Sequence, residues 1–224
     1  MALCLVSHSQ DKPADVPKVW ITMKKTCVDS MRTQVQAELH ASLQYLAMAA
    51  HFSRDVINRP GFAKMFFESA SEERDHSIKL IKYLSMRGDL TSNVSSLITM
   101  PVSAMSLFFI LDPSEITQSF RKSDHVDTEW ATGVDALKDA LKLEAKVTNL
   151  IRGVISDCEN SDEFNDYHIG DYLTDYPLTE QYHGERVLAG QASTLGRMMR
   201  DHGDLGEFLF DKKLLNGVPT KLIK

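Results

Sequence analysis

Steps of three and four residues from Phe66 through Ser69, Glu73, His76 and Leu80 to Leu84 trace one stripe of a helix. Its apolar members mark that stripe as the buried one. A carboxylate and an imidazole thus face a core, where an unpaired charge costs several kcal/mol. Two more segments repeat the conflict. Met31, Glu38, Tyr45 and Phe52 share one helical face, with the glutamate and the tyrosine between two large apolar residues. Leu137, Leu141, Glu144, Thr148, Ile151 and Ile155 form another stripe that carries a single carboxylate. A chain with acids on three buried stripes can close its core only if something compensates them.

Glu73 and His76 stand at i, i+3, which puts both side chains on one side of a turn and aims them at one point. Alone, that pair is an ordinary solvated face, and Tyr45 alone an ordinary core residue with a bonded hydroxyl. Together with Glu38 and Glu144 they are hard oxygen ligands plus one imidazole on facing helices, an arrangement that holds two iron or manganese ions. The fourth helical segment offers two registers. Gln181 leads to Gly184, Leu188, Ala192, Leu195 and Met199, a small or apolar series. Glu180 leads to His183, Val187, Gln191, Thr194 and Met198, a more polar one. Gln181 is therefore placed inward, and the Glu180/His183 pair, also at i, i+3, is read as solvated. Glu72 and Asp75 flank the stripe and are read as solvated too.

The rest of the chain frames this centre. Its 224 residues, 43% hydrophobic and 25% charged, suit one soluble globular domain with a sizeable core. Long helices are expected at about 23–54, 61–86, 130–157 and 163–200, the last bent by Pro177 near its start. "NRPGF" marks the first turn, Gly88 caps the second helix, and a short amphipathic piece follows at 205–215. An extended arm (1–19), a bundle domain (20–216) and a tail (217–224) make up the chain.

The 88–129 connection is long for a compact domain. Such a crossover makes helices two and three of a bundle run parallel. The fold class is therefore all-α, a four-helix bundle with a long crossover and a short fifth C-terminal helix. The apolar stretch "AMSLFFILDP" inside the crossover is a packed helix, an interaction surface or an insertion, and the residues leave these open. A net charge of −6 argues against a nucleic-acid partner. No apolar run approaches the roughly 20 residues of a membrane span. Cys4, Cys27 and Cys158 allow one bridge and an odd thiol, or a fully reduced chain.

Taken together, the stretches "AELHASLQYLAMAAHFSRD", "GFAKMFFESASEERDHSIKLIKYLSMRGD", "EWATGVDALKDALKLE", "EQYHGERVLAGQASTLGRM" and "LGEFLFDKKLL" resemble ferritin heavy chains, most of all the secreted insect type. The resemblance covers about 18–216 apart from the middle of the crossover. It implies a ferritin-like bundle, a hollow 24-subunit shell of this chain with light-chain-like partners, and an iron-storing ferroxidase that takes Fe2+ and O2. By the same resemblance Glu38, Glu73 and His76 hold one iron, and Glu73 bridges to a second held by Glu144. Gln181 acts near that second iron, with Tyr45 as a hydrogen-bonding or redox neighbour.

Some positions depart from the family pattern. About two dozen residues around 101–126 are extra. By the resemblance Glu72 and Asp75 match part of the family's acidic nucleation surface, where Ile78 stands in place of another acid, and Asp171 matches a channel acid, with Thr174 in place of its usual carboxylate partner. Cys27 and Cys158 match cysteines that pair in the secreted type, which implies a disulfide, an odd Cys4 and a secretory location. The apolar patch Ala2–Val6 is short for a complete signal sequence, so a cytoplasmic location is the alternative. Rival functions are another di-iron carboxylate oxidase, a structural ferritin subunit disabled by the insertion and, more distantly, a helical cytokine.

Overall fold

The computed structural model describes residues 17–87, 97, 129–159 and 165–217. These form helices α1 (Lys25–Ser53), α2 (Pro60–Met86), α3 (Gly133–Glu159), α4 (Tyr167–Leu173), α5 (Thr179–His202) and α6 (Asp204–Leu215). A π-helical turn, Thr174–Leu178, joins α4 to α5. The described residues contain no strand, and the chain is the all-α bundle expected. Residues 1–16, the extra stretch around 101–126 and the end of the tail lie outside the described residues.

Local chemistry sets the ends. Pro60 occupies the first turn of α2, where its missing N–H costs nothing. Thr132 caps α3: its Oγ1 accepts the Asp135 N–H at 3.2 Å. Trp130, expected inside that helix, instead turns into the core just before it and donates Nε1 to Asp139 Oδ2 at 3.2 Å. The expected bend at Pro177 takes the form of the π turn, whose wider loop accommodates a residue with no N–H to donate. Gly203, at φ 56, ends α5 and lets α6 fold back.

α6 closes one end of the bundle. Arg59 provides no side-chain cap for α2. Asp211 does so from α6, its Oδ1 accepting the N–H groups of Gly61 at 2.7 Å and Phe62 at 3.1 Å. Glu207 bridges Arg59 Nε at 3.0 Å and the Gly133 N–H at 2.9 Å, so one carboxylate ties α6 to the starts of α2 and α3. A Cβ at Gly61 would collide with the Asp211 carbonyl, which is why the approach needs glycine.

Directions follow from what meets at each end. The short 54–59 turn makes α1 and α2 antiparallel. A disulfide joins Cys27, at the start of α1, to Cys158, at the end of α3, and Ser30 donates to Asp157 beside it. α3 therefore opposes α1 and parallels α2, so the end of α2 and the start of α3 lie at opposite ends of the bundle.

The apolar core falls into two clusters. One gathers Tyr45, Phe52, Phe62, Phe66, Leu137, Leu195 and Phe210. The other gathers Cys27, Met31, Leu80, Leu84, Val147, Ile151 and Leu173. Along α2 and α3 the residues between the clusters include Glu73, His76 and Glu144, and Glu38 of α1 joins them from within the second cluster; all four are buried. A polar layer thus divides an otherwise greasy bundle.

Candidate metal centre

Each member of the layer reaches it from one turn of a long helix, held on both sides by apolar packing. Glu38 and Glu73 are buried, and His76 sets Nδ1 3.9 Å from Glu38 Oε2 and 3.5 Å from Glu73 Oε2. One ligand atom from each of the three falls within 4.8 Å of the other two. The oxygens facing the imidazole, Glu38 Oε2 and Glu73 Oε2, are buried and have no hydrogen-bond donor. Two donorless carboxylate oxygens beside one ring nitrogen are what a cation would satisfy.

Beside this trio stands a second group. Glu144 receives the Tyr45 hydroxyl on Oε1 and the Gln181 amide on Oε2 at 2.7 Å. Gln181 is buried, as its register required. The structure therefore brings Glu38, Glu73 and His76 together, sets Glu144, Tyr45 and Gln181 together, and places the two groups close enough for Glu144 to act electrostatically on Glu73.

The electrostatics record the strain of this placement. Burial, and then the neighbouring Glu144 charge, pushes the Glu73 carboxyl up to about 8. Burial first, and then Glu73, drives Glu38 well above the usual carboxylate range. Glu144 is raised by burial, although its two donors pull the other way. The Tyr45 phenol is raised well above its ordinary value by burial and by Glu144, so it remains a donor at neutral pH. Without a metal, Glu73 therefore keeps its proton at neutral pH, which relieves part of the repulsion between the acids.

One expectation needs correction. Glu180 is not solvated away from the site: its Oε2 lies 3.2 Å from His76 Nε2, and its side chain is only partly exposed. His183, its supposed partner, is exposed. With Gln181 facing the core, the preceding residue lands at the rim, where it meets the outer edge of the imidazole. Glu72 also approaches His76 and Glu180 rather than standing apart, whereas Asp75 is exposed. Asp171 and Thr174 are exposed at the junction of α4 and the π turn.

Sequence reasoning overlooked Gln34, which donates Nε2 to Glu38 Oε1 at 2.7 Å, and Glu185, which accepts the Thr148 hydroxyl at 2.6 Å. The signal for Gln34 was available, since it stands four residues before Glu38 and hence one turn away on the same face.

Comparison with known proteins agrees with this architecture. A family model for the ferritin-like domain matches residues 28–198. The ferritin heavy chain of Papilio xuthus is 53% identical over 218 residues, covering 96% of this chain and 93% of the relative. That of Trichoplusia ni is 51% identical over the same length, with the same coverage. The crystal structure of Trichoplusia ni secreted ferritin matches with a TM-score of 0.81 at 51% identity, over 94% of this chain and 98% of that one. The chain belongs to the ferritin family.

Proposed function

We propose that this chain is an iron-storage ferroxidase subunit, which oxidises Fe2+ with O2 at a pair of iron positions and passes ferric iron to a mineral inside a 24-subunit shell. The observation that carries the proposal is the pair of donorless oxygens, Glu38 Oε2 and Glu73 Oε2, buried beside His76. Glu38, Glu73 and His76 take the first Fe2+. Glu73 is shared with a second Fe2+ held by Glu144, and Gln181 orients that carboxylate. Fe2+ is substrate here, and each ion surrenders one electron. Adjacent donors let O2 accept two electrons together, which avoids release of a one-electron product.

The chain's own groups prepare that step. Tyr45 and Gln181 hold Glu144 by donor bonds, so its orientation is set before iron arrives. Binding divalent iron displaces the proton that Glu73 otherwise retains. The shell mixes this chain with light-chain-like subunits in the secretory pathway, a location that the likeness to a secreted ferritin supports. The Cys27–Cys158 bridge supports the same location, because such bridges persist in oxidising compartments.

The test is aerobic Fe2+ oxidation by the purified chain, followed by absorbance, beside the Glu73→Ala/His76→Ala variant. Fast oxidation in the parent, falling to the buffer rate in a folded variant, is the expected result. Equal slow traces from folded parent and variant would instead make this chain a structural subunit.

A further inference from the structure

Gln34 is buried in the bundle, one turn before Glu38 on α1. Its amide nitrogen donates to Glu38 Oε1 at 2.7 Å. Its own carbonyl oxygen, Oε1, is buried without a hydrogen-bond partner. A glutamine that served only to fill space would be better replaced by an apolar residue of the same length, which leaves no bare carbonyl. Nor can the amide be turned to relieve it once Glu38 is ionised to bind a metal, because that sets Gln34 Oε1 against Glu38 Oε1, acceptor against acceptor.

We infer that Gln34 is a positioning residue for the proposed iron site: it occupies Glu38 Oε1 and so commits Glu38 Oε2 to the metal. The geometry separates the two oxygens by role. Oε1 is engaged by the amide, whereas Oε2 lies 3.9 Å from His76 Nδ1 and has no donor. Both side chains come from one helix, so the bond is built into α1 and does not wait for another element to dock. Glu144 has the same kind of support from Gln181, across helices rather than along one. Each terminal carboxylate of the proposed pair thus has its own glutamine amide.

This inference rests on the iron-site reading, and the experiment separates the two. Co2+, which stays divalent in air, is titrated into the intact chain, its Glu38→Ala variant, and the Gln34→Met and Gln34→Leu variants. Ser42→Ala is the control. It removes another buried bond of α1, the hydroxyl of Ser42 to Ala70 O at 2.6 Å, without touching a carboxylate. Melting curves establish which variants are folded, and either Gln34 variant suffices.

The parent binds Co2+, Glu38→Ala loses one binding step, and Gln34→Met or Gln34→Leu weakens that same step by about tenfold or more. The step that depends on Glu144 is unchanged in the Gln34 variants, and Ser42→Ala binds like the parent. Gln34 variants that bind within about twofold of the parent, or an equal loss in Ser42→Ala, overturn the positioning role alone. A folded parent that binds no Co2+, or a Glu38→Ala variant that binds as the parent does, overturns the site and the inference together.

Discussion

At the scale of single residues, the polar layer is a set of groups each in the wrong solvent. Glu73 shows the consequence. Its carboxyl, about 8 in the fold, lies far above the 4.5 of a free glutamate. Between those values the folded, metal-free chain keeps a proton that the unfolded chain has lost. Stability from this group is therefore full at low pH and drains away as pH rises through the window. Glu38 and Glu144 are raised as well and act in the same direction. Melting the metal-free chain from about pH 5 to about pH 8 should show Tm falling more steeply in the parent than in Glu73→Gln. Parallel slopes would mean that Glu73 is not the buried acid described here.

Residue identity in this layer was legible because acids on apolar stripes are conspicuous. Glu38, Glu73, His76, Glu144 and Gln181 could all be placed inward from helical phase alone. Glu180 escaped, because its own stripe is polar and says nothing about a histidine reaching outward from another helix. Gln34 escaped for a different reason: an uncharged amide on a buried stripe raises no alarm until its partner is known.

Among elements, the ends of the helices were harder to read than their faces. Amphipathic phase is repeated over many turns, so α1, α2, α3 and α5 were visible in outline. The devices that lock them act over long sequence distances. Asp211 caps α2 from α6, and Glu207 holds the starts of α2 and α3, pairings that no local window contains. Pro177 signalled a bend, but only the structure gives it as a π turn.

The disulfide is the covalent one of these devices, joining residues 131 apart at the end of the bundle where α1 begins and α3 ends. Cross-links that close long loops remove much freedom from the unfolded chain, typically stabilising by about 2–4 kcal/mol. Cys158→Ser should therefore lower Tm by roughly 5–15 °C, as should reduction of the parent. It should leave the proposed iron site intact, because the second apolar cluster lies between the bridge and the polar layer. A loss under about 1 °C would show that the bridge adds nothing the packing does not already supply.

For the whole molecule, the topology follows from one length and one bridge. A connection too long for a turn implies a crossover, and a crossover makes the second and third long helices parallel. Their shared direction brings Glu73 and Glu144 to the same level, so the topology builds the layer as much as the stripes do. The crossover's apolar stretch contributed nothing to that reading, since "AMSLFFILDP" carries no phase that distinguishes packing from insertion.

The most direct measurement is anomalous diffraction at the iron edge from crystals of this chain loaded with Fe2+ without O2. Two peaks are expected, one among Glu38, Glu73 and His76 and the other between Glu73 and Glu144, beside Gln181. Iron found only on exposed carboxylates, with the layer empty of metal, would contradict the ferroxidase reading.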